Sequence, residues 1–300
     1  MAADLDLHGL WVPLVTPFDA ADAVDLEAME QLCHQYVRAG ARGIVALATT
    51  GESTALDAAE KRAVVDTCSK ACQELGAPLI VGTGTNNTRS TIEATRTLTD
   101  APGVVAALVV VPYYVRPSDA GVLAHYRAVA EASPVPLVAY NIPYRTGKGL
   151  DANGLLDLAR IDNVAGVKQS VGSLDTDTLT VLANCPEGFQ VLSGEDTLIY
   201  PIAALGGVGA ISAASHLCTE RFAAMIDCGL VSKHDDGRAH QEALLPVVRA
   251  GFAEPNPSVF KGVLHAQGKI PTPNLRLPMT AASPAAVDRC LAAVDSVTRH

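Results

Sequence analysis

A lysine near the end of a short apolar segment is the residue of this sequence best suited to covalent chemistry. The segment Val164-Ala165-Gly166-Val167-Lys168-Gln169-Ser170 lies between Asn163 and Gly172, and a run of this kind predicts a buried parallel strand. Lysine is almost never fully buried without a reason, because desolvation favours the neutral amine over the ammonium. A neutral amine can condense with a carbonyl carbon to form a Schiff base. Lys168 is therefore a candidate nucleophile, and the alternative is an ion-paired or snorkelling lysine at a strand end.

Polar side chains also follow other predicted strands, each at the point where the strand ends. In a closed barrel of parallel strands, the carboxyl ends of the strands form the face that carries the active site. Hydroxyl groups, one amine and one guanidinium are therefore expected to converge on one mouth. The segments concerned are Thr49-Thr50-Gly51-Glu52-Ser53, Pro112-Tyr113-Tyr114, Tyr140-Asn141 with Arg145 shortly after, Lys168, Gly194-Glu195-Asp196 and Ser212.

These positions also have purely structural interpretations. The two threonines could close a turn as β-branched residues, the tyrosines could be core aromatics, and Arg145 could form a surface ion pair. No histidine, aspartate and glutamate at the strand ends have the spacing of a metal site, so no metal is predicted. His216 is interpreted as a packing residue. The glycine-rich segments at 82–84 and 206–209 lack the lysine and hydroxyl of a phosphate loop, and we interpret them as tight turns.

Apolar strand-like runs alternate with amphipathic helical segments along most of the chain. Eight such repeats in about 230 residues predict a (β/α)8 TIM barrel of the α/β class. An open doubly wound sheet is the alternative, but no G-x-G-x-x-G follows the first strand. The predicted strands are Leu10–Thr16, Gly43–Ala48, Leu79–Gly82, Val104–Val111, Leu137–Asn141, Val164–Gln169, Gln190–Ser193 and Gly209–Ala213, and the predicted helices lie near 25–39, 57–75, 88–100, 118–132, 151–160, 173–184, 197–205 and 219–229.

Local signals support the helix ends and divide the chain into two parts. Ser118 and Thr219 are predicted N-caps, and Gly40 and Gly76 fit helix C-termini. The last segment reads as three further helices interrupted by prolines. We therefore predict a catalytic barrel over residues 1–232 and a C-terminal helical extension over 233–300 that packs on the barrel.

Composition limits the possible partners and the compartment. Hydrophobic residues make up 49% of the chain and the formal net charge is −10, which fits a globular protein that does not bind nucleic acid or anionic lipid. The Met1–Asp4 start has no basic region of a signal peptide, and no apolar run reaches membrane-spanning length. We therefore expect a cytoplasmic protein. Its seven scattered cysteines are expected to be buried free thiols.

The strand-end segments together resemble the class I pyruvate-dependent aldolases and lyases, the family of dihydrodipicolinate synthase and N-acetylneuraminate lyase. The resemblance covers nearly the whole chain. The matching segments are Thr49-Thr50-Gly51-Glu52-Ser53, Pro112-Tyr113-Tyr114, Tyr140-Asn141-Ile142-Pro143, Gly166-Val167-Lys168, Ser193-Gly194-Glu195-Asp196, Gly209-Ala210-Ile211-Ser212 and Leu275-Arg276-Leu277-Pro278-Met279-Thr280.

The resemblance implies a covalent mechanism without a metal or nucleotide cofactor. In it Lys168 forms the imine with pyruvate, and Tyr140 carries protons. Thr49 passes protons between Tyr140 and Tyr114, and the latter resembles a tyrosine that family members supply across a dimer interface. The implied catalytic residues are thus Lys168, Tyr140, Thr49 and Tyr114, and the implied substrate-binding residues are Thr50, Gly51, Arg145, Ile211, Gly194 and Glu195.

The acceptor aldehyde is the next question that the resemblance raises. Arg145 resembles the arginine with which the synthases bind the carboxylate of L-aspartate 4-semialdehyde, and a guanidinium fork suits a carboxylate. We therefore expect a 4-hydroxy-tetrahydrodipicolinate synthase of lysine and diaminopimelate biosynthesis. Gln169-Ser170 is closer to the sugar-acid aldolases, and the segment Asn256–Lys261 departs from the synthases' usual pattern. A 2-keto-3-deoxy sugar acid or N-acetylneuraminate aldolase remains the alternative, and a catalytically silent ligand-binding barrel is a third hypothesis.

Two further expectations concern regulation and assembly. In lysine-inhibited relatives, histidines after the threonine motif help to form the feedback site, whereas this chain has Ala58 and Lys61 at those positions. Weak or absent inhibition by lysine is therefore expected. A tyrosine that acts in a neighbouring subunit demands at least a dimer, and the family suggests a homotetramer built as a dimer of dimers.

Overall fold

Eight parallel strands close into a barrel in the computed structural model, which describes residues 5–298. Each strand pairs with the next along the chain, and the first and last strands close the ring through Gly9–Gly209 and Trp11–Ile211. The predicted barrel is confirmed. The strands are β1 Gly9–Pro13, β2 Gly43–Ala46, β3 Leu79–Gly82, β4 Val104–Val110, β5 Leu137–Asn141, β6 Val164–Gln169, β7 Gln190–Ser193 and β8 Gly209–Ile211.

Helices cover the outside of the barrel and continue into the C-terminal part of the chain. The helices are α1 Leu26–Arg38, α2 Ala58–Glu74, α3 Thr88–Arg96, α4 Asp119–Ala132, α5 Pro143–Thr146, α6 Ala152–Leu158, α7 Thr176–Asn184, α8 Ile199–Ala204, α9 Thr219–Leu230, α10 His234–Gly251, α11 Ser258–Ala266 and α12 Pro284–Thr298. Short 3₁₀ turns at Thr49–Gly51, Ser53–Ala55, Thr97–Asp100, Asp196–Leu198 and Ala214–His216 connect several of these elements.

The alternation of side chains along each strand separates two hydrophobic clusters. Side chains that point inward fill the barrel, among them Trp11, Val138 and Tyr140. Side chains that point outward, such as Ala139 and Val167, pack beneath the helices. Because successive residues of a strand face opposite sides, each strand is buried on both faces, and this accounts for the near-continuous apolar runs in the sequence.

Hydrogen bonds connect the C-terminal helices α10 and α12 to the barrel part of the chain. The predicted boundary between residues 232 and 233 falls in the turn between α9 and α10. In α9, the Arg221 guanidinium donates to the Val297 carbonyl in α12 over 2.8 Å. The Gln241 amide in α10 donates to the Thr197 carbonyl near β7 over 2.8 Å. The extension is therefore attached to the barrel by hydrogen bonds as well as by apolar packing.

Most local signals are confirmed, and one is wrong. Ser118 accepts a hydrogen bond from the Gly121 N–H at the start of α4, and Gly40 and Gly76 have positive φ just after α1 and α2. Thr219 is not an N-cap: Cys218 occupies that position, and the Thr219 hydroxyl donates to the Ser215 carbonyl over 2.7 Å. The preceding 3₁₀ turn offers that carbonyl one helical turn earlier, and the hydroxyl bonds backward to it.

The remaining differences concern element ends. The β1, β2 and β8 strands stop earlier than predicted because the chain bends out of the ladder at the barrel mouth. The third predicted helix splits into α3 and a 3₁₀ turn, and α5 was not predicted. Within residues 5–298 no helix is long and apolar enough to cross a bilayer, and the Met1–Asp4 segment lies outside the described residues. All seven cysteines are free thiols, but Cys185 and Cys218 are only partly buried.

Candidate active site

Lys168 lies inside the barrel, one residue before the end of β6. Its side chain is only 6% exposed, and its Nζ atom lies 4.2 Å from the centroid of the Tyr140 ring. In the described part of the chain no carboxylate lies within salt-bridge distance of this nitrogen. The structure thus excludes the ion-paired and snorkelling interpretations of Lys168.

Tyr140 is brought to Lys168 by the backbone ladder of the sheet. It lies opposite Lys168 in the register between β5 and β6, and residues opposite each other in neighbouring strands point to the same face. The Tyr140 ring belongs to the barrel interior. Since the Lys168 nitrogen rests on the face of the ring, the phenol hydroxyl is left available to a bound molecule.

Gly194 provides the space that the Lys168 side chain occupies. A Cβ atom at this position would lie 2.8 Å from Lys168 Cε and 2.0 Å from Ser170 Oγ, which is closer than real side chains approach. Ser170 is fully buried, and its hydroxyl has no hydrogen-bond partner within the described residues. The requirement for glycine at position 194 is therefore steric and comes from Ser170 and Lys168 together.

The turn after β2 carries Thr49, Thr50 and Gly51. The Gly51 N–H donates to the Ala48 carbonyl over 3.0 Å and the Glu52 N–H donates to the Thr49 carbonyl over 3.1 Å, and these two bonds close the turn. Thr49 is exposed toward the mouth and Thr50 is buried. A Cβ on Gly51 would lie 2.9 Å from the Leu14 carbonyl, so the turn packs closely against the chain after β1.

Glu52 ends this turn with a left-handed backbone and a buried carboxylate. Its φ is 51°, and its Oε1 atom lies 2.8 Å from Lys261 Nζ in a pair whose side chains are 0% and 3% exposed. Burial lowers the pKa of Lys261, and the Glu52 carboxylate opposes that shift. The backbone N–H of Arg276 donates to the other carboxylate oxygen of Glu52 over 3.1 Å. The C-terminal extension therefore holds the turn from behind.

A cavity of about 1100 Å³ opens at the mouth of the barrel. Thr49, Tyr114, Tyr140 and Arg145 line it, so four predicted site residues share one space. Of the described residues that line it, four are cationic and none is acidic; the cations are Lys61, Arg62, Arg116 and Arg145. In a chain with a net charge of −10, such a mouth concentrates small anions.

Tyr114 is presented to the outside rather than packed in the core. Its side chain is 86% exposed, and its φ of 69° lies in a region that non-glycine residues rarely adopt. The Tyr114 N–H donates to the Thr146 carbonyl over 3.0 Å, which ties this strained segment to the Arg145 loop. Arg145 is also exposed, and no carboxylate of the described residues lies within 4 Å of it. The core interpretation of Tyr114 and the ion-pair interpretation of Arg145 are both wrong.

Two acidic residues, Glu195 and Asp196, follow β7 and are not among the residues that line the cavity. The Tyr144 hydroxyl donates to Glu195 Oε1 over 3.0 Å, and burial raises the pKa of Glu195 above its usual range. Asp196 is buried, and desolvation raises its pKa to about 6, against the hydrogen bonds that it accepts from the Ser212 hydroxyl and the Ala214 N–H. These hydrogen bonds connect the end of β7 to the end of β8.

Some of the residues singled out in the sequence do not line the cavity. Ile211 is 1% exposed inside the barrel beside β1. The Gln169 side chain points outward, where it bonds Asn141 over 3.0 Å and Thr178 over 3.1 Å. Gln169, at which this chain differs from the synthases, therefore packs beneath α7. His216 accepts from the Val15 N–H and is buried, as the packing interpretation predicts.

One group of possible metal ligands exists among the residues that the structure describes. Glu30, His34 and Glu74 have ligand atoms within 4.8 Å of one another. They lie on α1 and α2, away from the strand ends, and Lys70 Nζ lies 2.9 Å from Glu30 Oε1. The same nitrogen lies 3.8 Å from Glu74 Oε1, so Lys70 already balances one of the two carboxylate charges.

Sequence reasoning missed the residues that hold the threonine turn from the extension. The Asn256 amide donates to Thr50 Oγ1 over 3.1 Å, and Lys261 and Arg276 bind Glu52. Arg276 lies in a segment noted for its resemblance to the family, and Asn256 and Lys261 lie in one noted for its departure from the family's pattern. No local pattern connects any of the three to the turn. A lysine in the apolar Val259–Leu264 stretch was the available signal, because such a residue must find a buried partner.

Comparison with known proteins gives a consistent result. The family model described as the dihydrodipicolinate synthetase family matches residues 6–296. The 4-hydroxy-tetrahydrodipicolinate synthase of Methanosarcina barkeri is 36% identical over 275 residues, which cover 91% of this chain and 92% of the relative. That of Moorella thermoacetica is 39% identical over 270 residues, covering 90% and 91%. A crystal structure of the chloride-inhibited dihydrodipicolinate synthase of Acinetobacter baumannii with pyruvate superposes with a TM-score of 0.93 at 30% identity, covering 97% and 99%.

Proposed function

The chain belongs to the dihydrodipicolinate synthetase family, and we propose that it condenses pyruvate with L-aspartate 4-semialdehyde as a 4-hydroxy-tetrahydrodipicolinate synthase. It is a pyruvate-dependent lyase of class I, the type that works through a lysine imine. The observation that carries this proposal is the buried Lys168 amine against the Tyr140 ring, beneath a mouth lined by cations and by no described acid.

The first step is attack of the Lys168 amine on the keto carbon of pyruvate. Loss of water gives an iminium, which withdraws electrons from the neighbouring methyl group. Removal of a methyl proton then yields an enamine, and the enamine carbon forms the new bond to the aldehyde carbon. The amino group of the semialdehyde can attack the imine carbon, which closes the ring and releases Lys168. The covalent imine supplies the electron sink, so the proposal requires no metal or nucleotide.

Tyr140, Thr49 and Tyr114 are the proposed proton carriers. Thr49 and Tyr140 line the same cavity, and Tyr140 lies beside Lys168. Tyr114 is proposed to come from a second copy of the chain. A hydroxyl relay provides general acid and base catalysis without a permanent charge next to the iminium. Glu195, with its raised pKa, stands at the edge of this space and bonds Tyr144 rather than the relay.

The carboxylates of the two substrates are assigned to different loops. The Thr50 N–H and hydroxyl, in the turn that Gly51 allows, are proposed to bind the carboxylate of pyruvate. Arg145, without an internal partner in the described chain, is proposed to bind that of the semialdehyde, because its fork matches a carboxylate. Gly194 leaves the space that Lys168 occupies, and a role of Glu195 and Ile211 in substrate binding stays a proposal.

Assembly and compartment follow as further proposals. The exposed and strained Tyr114 fits a residue that is presented to a second copy of the chain, and we propose a homotetramer built from two such dimers. Seven free thiols fit a reducing compartment such as the cytoplasm. Lys61 lines the mouth, and weak or absent lysine inhibition stays a prediction.

Reductive trapping tests the proposed reaction. The protein is incubated with pyruvate and borohydride, digested and examined by mass spectrometry, and we expect the reduced adduct on Lys168 only. A panel of aldehydes then compares L-aspartate 4-semialdehyde with 2-keto-3-deoxy sugar acids and N-acetylneuraminate as substrates. An adduct elsewhere, or faster turnover of a sugar acid than of the semialdehyde, would reject the assignment. Pyruvate binding without turnover of any of these compounds would favour a silent barrel.

A further inference from the structure

Two side chains of the C-terminal extension contact the turn that carries Thr49 and Thr50. Lys261 pairs with Glu52, and Asn256 bonds Thr50; neither residue lines the cavity. We propose that Lys261 and Asn256 are positioning residues that hold the pyruvate carboxylate site from behind, through Glu52 and Thr50. This inference rests on the proposed function, in which Thr50 binds that carboxylate.

The Lys261 ammonium holds both sides of the turn. It lies 2.8 Å from Glu52 Oε1 and donates to the Thr16 carbonyl over 2.9 Å. The Thr16 hydroxyl in turn donates to the Gly51 carbonyl over 2.7 Å. One buried nitrogen therefore fixes the end of the turn at Glu52 and, through Thr16, its middle at Gly51.

The backbone at Glu52 depends on these bonds. A φ of 51° is unfavourable for a residue with a side chain and persists only where the surroundings hold it. Both oxygens of the Glu52 carboxylate accept hydrogen bonds, Oε1 from the Lys261 ammonium and Oε2 from the backbone N–H of Arg276. Loss of the ammonium leaves a buried charge without its partner, and the turn must then rotate to bring the charge to water.

Asn256 sets the direction in which the Thr50 hydroxyl donates. The amide nitrogen lies 3.1 Å from Thr50 Oγ1 and occupies an acceptor site of that oxygen. A hydroxyl has one hydrogen to donate, and with Asn256 acting as donor this hydrogen remains for another acceptor. The carboxylate of pyruvate is the acceptor that the proposed function supplies.

The arrangement predicts an effect on one substrate and not on the other. Pyruvate depends on the threonine turn, whereas the semialdehyde carboxylate depends on Arg145 in the loop after β5. Disturbing Lys261 should therefore raise the half-saturation concentration for pyruvate more than that for the semialdehyde. A general loss of fold would affect the two substrates alike.

The test measures imine trapping and steady-state kinetics in Lys261→Met. We expect a roughly 10- to 100-fold rise in the pyruvate concentration that gives half-maximal trapping, in line with the effect of a misplaced binding group. The KM of the semialdehyde should change much less. Asn256→Ala leaves the ion pair between Glu52 and Lys261 intact, and it should also raise the pyruvate concentration that gives half-maximal trapping. Arg238→Met, which removes an exposed cation of α10, is the matched control and should behave as the wild type.

The double variant Glu52→Gln/Lys261→Met separates positioning from stability. It removes the stranded charge, so its free energy of unfolding should return toward that of the wild type, while pyruvate half-saturation stays raised. If half-saturation recovers together with stability, the pair is only structural and the inference is overturned. If the single variant does not fold, the double variant provides the kinetic measurement. Absence of trapping in the wild type would instead reject the proposed function.

Discussion

Tyr140 and Lys168 lie opposite each other in the register between β5 and β6, with the lysine nitrogen 4.2 Å from the centroid of the tyrosine ring. The two groups proposed for the chemistry are thus placed by the hydrogen bonds of a sheet and not by a mobile loop. Positioning of this kind is rigid, because strands vary less in position than the loops that follow them. The loops after the strands carry Thr49 and Tyr114, which are proposed to transfer protons, and Arg145, which is proposed to bind the semialdehyde.

Tyr140→Phe should separate the role of the phenol from that of the ring. The phenylalanine ring can still support Lys168, so pyruvate should still be trapped on the lysine. Loss of a general acid or base should lower kcat by roughly 10²- to 10⁴-fold. Stopped-flow trapping and steady-state assays measure the two effects. An unchanged kcat would contradict the proton-carrier role of Tyr140.

Gly194→Ala should displace the nucleophile without unfolding the barrel. The new Cβ would lie 2.8 Å from Lys168 Cε, so the lysine must move, and a displacement of about 1 Å can cost roughly 100-fold in rate. Trapping yield and kcat should both fall while the circular dichroism spectrum is kept. Gly121→Ala is the control, since its Cβ would meet the Pro117 Cβ at 3.4 Å, and it should retain activity. Normal trapping in Gly194→Ala would show that the site accepts the methyl group.

Arg145→Lys should weaken the binding of the semialdehyde and leave the binding of pyruvate unaffected. The lysine keeps the charge but loses the two-pronged donor, and a charge-assisted hydrogen bond contributes about 1.5–3 kcal/mol. The KM for the semialdehyde should therefore rise roughly 10- to 100-fold. An aldehyde without a carboxylate serves as the control substrate and should not distinguish variant from wild type. Equal losses for both aldehydes would place the carboxylate elsewhere.

Asp196 should make the stability of the protein depend on pH between about 4 and 6. Burial raises the pKa of its carboxyl to about 6 from an ordinary 3.8, so the folded chain holds the proton more tightly than the unfolded chain. The resulting stabilisation is fully present below the ordinary pKa and is lost as the pH rises through about 6. It amounts to at most about 3 kcal/mol.

Asp196→Asn isolates this contribution, because the amide oxygen can still accept from Ser212 and Ala214 but cannot titrate. The difference in unfolding free energy between variant and wild type should grow in favour of the variant from pH 4 to pH 7. Urea unfolding at several pH values measures it. Burial lowers the pKa of His216 to about 4, but this group titrates in both proteins and cancels. If the unfolding free energies of variant and wild type change with pH in parallel, Asp196 is not the source of the pH dependence.

Tyr114→Phe and Lys168→Met should complement each other if Tyr114 acts in a neighbouring subunit. Each variant alone should have little activity. In a mixed dimer, the subunit that keeps Lys168 would receive Tyr114 from its partner, so partial activity should return after the two are denatured and refolded together. Refolded single variants are the controls. No recovery in a sample proven to contain mixed oligomers would place Tyr114 in the site of its own chain.

The sequence by itself determined the barrel and identified Lys168 as the candidate nucleophile. Eight apolar runs alternating with amphipathic helices leave few alternatives to a parallel sheet covered by helices, and a lysine in such a run signals an unusual environment. Because parallel strands end on one face, Tyr140 and Lys168 could be placed near each other before any coordinates. These inferences work because they rest on periodicity and on a general rule of the fold.

Only the tertiary structure decided how the site is held and what is exposed. Glu52 and Lys261 lie 209 residues apart in the chain, and Asn256 lies 206 residues from Thr50. No local pattern contains a contact across such a distance. The exposure of Tyr114 and the loss of the predicted cap at Thr219 likewise depend on the tertiary structure. These features depend on which groups lie close together in the folded chain. A side chain bonds to a partner that is near in space, and the residues next to it in the sequence do not identify that partner.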